Sequence, residues 1–391
     1  MRKFYSNLIV KSIQKVTGRG VHKLHEPLFA GKEINYLKKT IKENFVSSSG
    51  KYVNKFEEKV KKYTKAKFAV AVVNGTQALY ISLKVCGIKH NEEVLVPALT
   101  FVGTVNAISY LGAEPHFVDS EIKNFGINCS KLENYLDKIV KFKGKKSINK
   151  LTGKVIKAIV PVHVFGHSCN IEGIIKIAKK FNLIVIEDAA EALGSFYKQK
   201  HLGTFGHIGC ISFNGNKIIT TGGGGMVITN KKKLAKKIRH LTTTAKLKHK
   251  WDYVHDEIGY NFRMPNLNAA LGIAQIEKID AFVRAKRLLF NKYHKVFKKI
   301  KEVSLYKEEK NSKSNYWLQT LILDKNNINL RNKILKRSHE KSIYIRPSWK
   351  LISKLKPYKK KQKMNLSGAY EIYNRVINLP SSQSLVLKTN Q

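Results

Sequence analysis

Short apolar segments alternate with helix-like segments along residues 67–230. Seven of these segments have the character of strands: residues 68–73, 93–98, 115–119, 156–164, 183–187, 210–214 and 226–229. Several are apolar throughout, which is typical of strands that are buried on both faces of a sheet. Three segments between the strands carry apolar residues at helical spacing: residues 76–85, 100–111 and 171–181. The alternation predicts a three-layer α/β domain with a mainly parallel sheet.

The alternation is interrupted once, and a different pattern follows it. Residues 141–154 are rich in lysine and contain two glycines, so we predict a surface loop there. Residues 267–287 predict one long helix with a broad apolar face. A predicted strand at 317–323 and predicted helices at 330–341 and 367–374 come after it. We therefore predict three parts: an N-terminal extension (1–30), a large domain (31–287) and a small α+β domain (288–391).

The composition adds a large positive charge. The chain has 73 Lys and Arg residues against 27 Asp and Glu residues, which gives a formal net charge of +46. Such a charge is typical of proteins that bind nucleic acids. The lysines are spread along the whole chain, however, so we predict a solvated basic surface and expect no nucleic-acid partner. A positive surface would still attract an anionic substrate such as a nucleotide diphosphate sugar.

The sequence does not indicate membrane insertion or metal binding. No apolar run approaches the roughly 20 residues of a membrane-spanning helix, and no signal peptide is recognisable. We therefore expect a cytoplasmic protein without a membrane partner. The cysteines show no metal-binding spacing, and we expect no metal site. They are Cys86, Cys129, Cys169 and Cys210.

Lys217 lies in the stretch that is most informative about chemistry, Ser212-Phe-Asn-Gly-Asn-Lys217, which four glycines follow at 222–225. A strand ends at a hydroxyl, a turn follows, and the lysine comes before backbone that can approach a ligand closely. A lysine forms a Schiff base only when its amine can lose its proton, and Lys217 has no charged neighbours in the sequence. The alternative is an ordinary lysine in a turn.

Three other predicted strand ends carry candidate ligand contacts. Gly75 and Thr76 begin a predicted helix, whose free amides can bind a phosphate; the alternative is a helix N-cap by Thr76. Phe101 follows the second strand and can stack on a planar cofactor, or it can be a core residue. Asp188 ends a buried strand and can hold a pyridine nitrogen protonated. The alternatives for Asp188 are metal ligation and a helix N-cap.

In this order, these elements resemble the DegT/StrS family of sugar-nucleotide aminotransferases, which have the aspartate-aminotransferase (type I) fold and depend on pyridoxal 5'-phosphate (PLP). The resemblance runs from about residue 24 to residue 380. Its most specific pieces are the Lys217 motif and Gly259-Tyr-Asn261-Phe-Arg-Met-Pro-Asn-Leu-Asn-Ala-Ala-Leu-Gly.

The resemblance implies a role for each candidate residue. Lys217 would form the Schiff base with PLP, Asp188 would pair with the pyridine nitrogen, and Phe101 would stack on the ring. The residues implied to bind the cofactor phosphate are Gly75, Thr76, Ser212 and, from the second subunit of a homodimer, Asn261. Candidate substrate contacts are Ser47, Ser48, Arg346 and Trp349, although structural roles for them are equally compatible with the sequence.

Two positions depart from the family pattern. Glu191, which we count as cofactor-binding, stands where many members have Gln or His, and Gly223 stands where many have Glu. Residues 24–27 and 44–50 look closest to the branch that serves legionaminic-type sugars. That branch would transfer an amino group, with glutamate as donor, to C4 of a UDP-linked 4-keto-6-deoxy-N-acetylhexosamine. The alternatives are a PLP-dependent sugar dehydratase or deoxygenase and a basic binding protein without catalysis.

Overall fold

The computed structural model describes residues 2–387 of the chain. Its helices are α1 (Arg2–Thr17), α2 (Glu33–Lys42), α3 (Lys51–Thr64), α4 (Gly75–Val85), α5 (Val102–Ser109), α6 (Cys129–Ile139), α7 (Ile171–Lys180), α8 (Lys232–Thr242), α9 (Asn266–Ile276), α10 (Ile279–Phe297), α11 (Ile328–Glu340) and α12 (Ser367–Arg375). Short 3-10 turns lie at Val164–Gly166, Ile352–Lys354, Lys356–Tyr358 and Gln383–Leu385. None of the helices within residues 2–387 has the length and apolar character needed to cross a membrane.

The strands form three sheets. They are β1 (Phe68–Val72), β2 (Glu93–Pro97), β3 (Glu114–Val118), β4 (Val140–Lys143), β5 (Lys146–Asn149), β6 (Val155–Ile159), β7 (Ile184–Asp188), β8 (Phe196–Tyr197), β9 (Lys200–His201), β10 (Ile208–Ser212), β11 (Gly225–Thr229), β12 (Val303–Leu305), β13 (Ser312–Lys313), β14 (Gln319–Leu323), β15 (Arg346–Pro347) and β16 (Val376–Leu379). The largest sheet has the order β1-β11-β10-β7-β6-β2-β3.

The largest sheet is mainly parallel. The pairs β10-β7, β7-β6, β6-β2 and β2-β3 are parallel, and β11 runs antiparallel to both of its neighbours. All five residues of β2, β10 and β11 are buried, as expected for central strands that helices cover on both faces. The carboxyl ends of β7 and β10 therefore lie side by side, at the edge where α/β sheets bind ligands. The predicted α/β class is confirmed.

A smaller unit surrounds an antiparallel sheet of order β12-β14-β16-β15. Its core joins residues of that sheet to α10, α11 and the first helix of the chain: Ile9 and Ile13 of α1 are fully buried in it. The N-terminal extension predicted at 1–30 thus begins with a helix that packs on this smaller unit. The division of the chain into three parts stays a prediction. Helix α10 spans the proposed boundary between residues 287 and 288.

The prediction of a surface loop at residues 141–154 is wrong. Strands β4 and β5 form a hairpin in this segment, and β5 also pairs with β6 through Ser147 and Ile156. Besides Val140, the hairpin buries two polar residues: Ser147 Oγ donates a hydrogen bond to Phe181 O, and the Asn149 side-chain amide donates to Glu93. Because these strands bury hydrogen-bonded polar groups, they lack the apolar alternation by which sequence patterns indicate strands.

Two other predicted elements are shorter than expected. The helix predicted at 267–287 is broken after α9, where Glu277 accepts a hydrogen bond from Tyr36 (3.2 Å) and lies 3.1 Å from Lys59 Nζ. These are contacts with distant segments, and the break itself contains neither glycine nor proline. The strand predicted at 156–164 ends at residue 159, and Pro161, which has no N–H, follows it.

Candidate active site

One cavity opens at the carboxyl ends of β7 and β10. Its walls come from the starts of α4 and α5, the segments after β7 and β10, and two tryptophans from the C-terminal part of the chain, Trp317 and Trp349. The structure brings eight of the predicted site residues together in this cavity: Gly75, Thr76, Phe101, Asp188, Glu191, Ser212, Lys217 and Trp349.

Asp188 is buried at the end of β7 and is fixed by two hydrogen bonds. Thr104 Oγ1 donates to Asp188 Oδ2 (2.7 Å), and the Ala190 amide donates to Asp188 Oδ1 (3.0 Å). Residues 189–194 contain no helix, so the helix N-cap alternative for Asp188 is wrong. Burial raises the pKa of Asp188, while these hydrogen bonds and the charge of Lys217 oppose the shift. A buried carboxyl of this kind is stabilised in its charged form by a bound cation, and a protonated pyridine nitrogen is one.

The start of α4 forms a cradle with the end of β10. The N-cap of α4 is Asn74, whose Oδ1 accepts from the Gln77 amide (2.9 Å), so the N-cap alternative for Thr76 is wrong. A methyl group on Gly75 would lie 3.0 Å from Ser212 Cβ. The absence of a side chain at Gly75 therefore leaves room beside the Ser212 hydroxyl and the first amides of the helix. These groups match the needs of a phosphate.

Phe101 presents its ring to the cavity. It comes directly after a run of fully buried residues, yet 56% of its own surface is exposed, so the core alternative is wrong. The neighbouring Gly103 has no room for a larger residue, because a Cβ there would lie 2.8 Å from Thr76 Oγ1 and 3.3 Å from the Phe101 ring. The ring is available to stack on a planar ligand between the cradle and Asp188.

Lys217 contacts an acid and an aromatic ring. Its Nζ donates to Glu191 Oε1 (3.2 Å) and lies 4.1 Å from the centre of the Trp317 ring, with 12% of the side chain exposed. The other oxygen of Glu191 accepts from the Phe165 amide (2.8 Å). Phe165 has a left-handed backbone (φ 57°), which aims this amide at the acid. Burial raises the pKa of Glu191, and the charge of Lys217 opposes the shift.

The other predicted site residues lie apart from the cavity or at its margin. Ser47, Arg346 and Asn261 are exposed, Ser48 is half-buried, and none of the four lines the cavity of the single chain. Trp349 does line it and packs on the Phe165 ring at 4.9 Å. At Gly223, the second departure from the family pattern, a Cβ would find its nearest atom at 3.9 Å, so glycine is not required there by lack of space.

Several residues of the cavity could not be predicted from the sequence. Trp317 was assigned only to a strand, and nothing in its local sequence marks it as a neighbour of Lys217. Thr104 orients Asp188, and Thr100 Oγ1 in turn lies 2.9 Å from Thr104 Oγ1. A threonine one helical turn from another, just after a strand end, is the weak signal that was available.

These groups define a class of enzyme. One cavity holds a cradle for a phosphate, an exposed ring for stacking, a buried acid and a lysine. In the same order, these groups fit the phosphate, ring, pyridine nitrogen and aldehyde of PLP. The chain belongs to the DegT/DnrJ/EryC1/StrS aminotransferase family, whose pattern it matches over residues 28–391. It is a PLP-dependent aminotransferase with the type I fold, which excludes the alternative of a basic protein without catalysis.

Individual relatives cover nearly the whole chain. A GDP-perosamine synthase of Escherichia coli O157:H7 is 39% identical over 93% of both chains. A UDP-4-amino-4,6-dideoxy-N-acetyl-beta-L-altrosamine transaminase of Campylobacter jejuni is 32% identical over 91% of both chains. The solved structure of the sugar aminotransferase Spr1654 from Streptococcus pneumoniae in its PLP form superposes with a TM-score of 0.81, at 21% identity over 93% of both chains. The chain is thus a member of a family of sugar aminotransferases.

Proposed function

We propose that the protein transfers an amino group from glutamate to C4 of a 4-keto-6-deoxyhexose that is linked to a nucleoside diphosphate. The observation that carries the proposal is the placement of Lys217 within one cavity with Asp188, Phe101 and the Gly75–Ser212 cradle, in a chain of an aminotransferase family. C4 is supported by the name of the Campylobacter relative, which contains a 4-amino-4,6-dideoxy sugar.

Each side chain of the cavity has a defined task in this reaction. Bound PLP supplies an aldehyde for exchange of amines and a ring that takes up the electrons of the broken Cα–H bond. Lys217 would hold the cofactor through its side-chain amine, and the same amine, once free, would accept the proton from the donor Cα and pass it on. Asp188 would keep the ring nitrogen protonated. Over both halves of the cycle the donor loses its amino group and takes an oxygen atom from water, while the sugar gains the amino group and releases its keto oxygen as water, so the atoms balance.

The nucleotide is the point on which the relatives differ. The first candidate is GDP, because the GDP-perosamine synthase shares 39% of its residues with this chain and the UDP-sugar transaminase 32%. The UDP-linked N-acetylhexosamine that the resemblance implied is the second candidate. Either diphosphate would be attracted by a chain with a net charge of +46.

The proposal includes a second copy of the chain. Asn261 is exposed and lies outside the cavity, and the preceding segment exposes large apolar side chains: Trp251 by 70%, Tyr253 by 80% and Ile258 by 84%. Large apolar groups clustered on a surface are typical of association sites. In a homodimer, Asn261 would reach the cofactor phosphate of the other subunit.

The first experiment follows the visible spectrum of the purified protein with PLP. We expect an absorbance band of the lysine-linked cofactor that disappears when glutamate is added and is absent in Lys217→Ala. GDP- and UDP-linked 4-keto-6-deoxyhexoses are then offered to the glutamate-treated enzyme, and mass spectrometry identifies the amino sugar. No band at all would contradict the cofactor site. A deoxy product without a new amine would support the dehydratase alternative.

A further inference from the structure

The backbone on each side of Lys217 is held by a side chain of the smaller unit. Trp317 Nε1 donates a hydrogen bond to Asn216 O (2.7 Å), and Gln383 Nε2 donates to Ile218 O (3.0 Å). These two bonds bracket the lysine, although the two donors are distant from it in the sequence. The position of the Lys217 side chain therefore depends on the smaller unit as well as on its own turn.

Trp317 also contacts the charged end of the same lysine. The Lys217 Nζ lies 4.1 Å from the centre of the Trp317 ring, within the range at which an aromatic face attracts a cation. The Gln383 side chain, by contrast, is bonded through Nε2 to the Ile218 carbonyl. Both residues thus support the backbone beside Lys217, and Trp317 also contacts the ammonium group of the lysine.

The ring of Trp317 is fixed relative to Glu191. Asn315 Oδ1 accepts from the Trp317 amide (2.8 Å), and Asn315 Nδ2 donates to the Glu191 carbonyl (2.8 Å). The Trp317 carbonyl in turn accepts from the buried Lys286 Nζ (2.9 Å). One asparagine therefore sets the distance between the acid and the aromatic ring that both face Lys217.

From these contacts we propose that Trp317 is a positioning residue that stabilises the ammonium of Lys217 whenever this amine is not bonded to the cofactor. The inference rests on the proposed function, in which Lys217 is displaced by the donor and then accepts the proton from the donor Cα. At that moment the side chain needs a place for a positive charge. The Trp317 face and Glu191 Oε1 provide it without moving the backbone of Lys217.

Four other charged or titratable groups surround this pair. Asp188 and Glu191 face Lys217 from the segment at the end of β7, His25 from the N-terminal segment, and Lys286 of α10 lies behind Trp317. Burial lowers the pKa of His25, and the charges of Lys286 and Lys217 act in the same direction. His25 is therefore neutral near pH 7, and the acids and the aromatic ring are the groups that favour the ammonium.

The decisive test measures how readily Lys217 loses its proton in the protein without cofactor. An amine-acylating reagent labels only the neutral amine, so the pH midpoint of labelling, followed on the Lys217 peptide by mass spectrometry, reports the stability of the ammonium. We expect the midpoint to fall by about one pH unit in Trp317→Leu. It should fall less in Trp317→Phe, which keeps an aromatic face and loses the bond to Asn216.

Gln383→Met is the matched control, since it removes the backbone bond on the other side of Lys217 and leaves the ring in place. Its labelling midpoint should equal that of the unaltered protein. An unchanged midpoint in Trp317→Leu, or an equal shift in Gln383→Met, would overturn the proposal. If Trp317→Leu does not fold by circular dichroism, Trp317→Met takes its place, because it also removes the aromatic face, and an unchanged midpoint in Trp317→Met counts against the proposal.

A second measurement uses the loaded enzyme. At saturating glutamate, we expect the single-turnover rate of the Trp317→Leu protein to fall about tenfold, with little change in the glutamate concentration that gives half the rate. A loss confined to glutamate affinity would contradict the proposed role. Failure of the proposed function would show differently, as absence of the PLP band or of the response to glutamate in the unaltered protein, and the labelling test needs neither.

Discussion

Two neighbouring acids at the end of β7 face opposite sides of the sheet and show two uses of a buried carboxylate. Glu187 accepts hydrogen bonds from His163 Nε2 (3.0 Å) and from the amides of Gly203, Phe205 and Gly206 at 2.6–2.8 Å. Asp188, on the cavity side, accepts two. The protein thus supplies Glu187 with a full set of hydrogen bonds, whereas Asp188 can still accept a hydrogen bond from a ligand.

The pKa directions follow this difference. Burial raises the pKa of Glu187, but the His163 side chain and the Gly203 and Gly206 amides outweigh burial and hold that pKa below its ordinary value. Burial also raises the pKa of Asp188, and there its hydrogen bonds are too few to reverse the shift. An acid that is under-satisfied by the protein alone is typical of a functional site. Glu187, which belongs to the framework, connects β6, β7 and the loop that leads into β10.

The largest effect on activity is expected at Asp188. Asp188→Asn keeps the shape but cannot hold a pyridine nitrogen protonated, so the half-reaction with glutamate should slow about 1,000-fold. Stopped-flow absorbance of the PLP band measures this rate.

The same variant should make the protein without cofactor more stable at neutral pH. Because the folded state raises this pKa, ionising Asp188 costs stability as pH rises through its ordinary and raised pKa, and the variant lacks this loss. A fully active Asp188→Asn variant would contradict the proposed difference between Asp188 and Glu187.

The largest effect on stability is expected at Glu187. Glu187→Gln removes the charge that four donors share, and we expect the free energy of unfolding in urea to fall by about 3 kcal/mol. The lowered pKa means that this contribution is present above the ordinary pKa of about 4.3 and is lost as pH falls through the folded value. The exposed Glu172→Gln, which loses surface contacts to Lys198 and Tyr197, is the control and should change stability by less than about 1 kcal/mol. Equal effects of the two variants would refute the structural role of Glu187.

A smaller effect is expected in the phosphate cradle. A methyl group in Gly75→Ala would press on Ser212 at 3.0 Å and occupy the space beside its hydroxyl, so PLP affinity should weaken about 10- to 100-fold. Titration of the protein with PLP, followed by absorbance, measures it. Gly215→Ala is the control, because a Cβ at Gly215 meets no atom within 4 Å. Equal affinities of the two variants would place the phosphate elsewhere.

The smallest effect is expected at the residue that orients Asp188. Thr104→Val removes one of two hydrogen bonds to the acid, and the Ala190 amide remains. We expect the rate with glutamate to fall about tenfold and stability to change by about 1 kcal/mol. Thr100→Val, which contacts Thr104 but not Asp188, should have the smaller effect on the rate. The reverse order would mean that the hydroxyl pair does not act through Asp188.

Local rules explain why much of the site could be predicted. Asp188 stands where an apolar strand ends, Gly75 where a helix starts, and Lys217 in the turn that follows β10, and such boundaries follow from residues a few positions apart. In a mainly parallel sheet, strand ends of this kind meet at one edge. The hairpin at β4 and β5 escaped prediction because it buries hydrogen-bonded polar groups, and the break after α9 because neither glycine nor proline marks it.

The sequence by itself determined the α/β class, the strand ends that carry the cofactor residues and the aminotransferase family. These depend on short-range periodicity and on motifs that are contiguous in the chain. Only the tertiary structure decided that Trp317 and Gln383 bracket Lys217, that Asn315 ties Trp317 to Glu191, and that Ser47, Arg346 and Asn261 lie outside the cavity of one chain. The physical reason is that contacts between residues 100 or more positions apart depend on how whole elements pack, which no local pattern encodes.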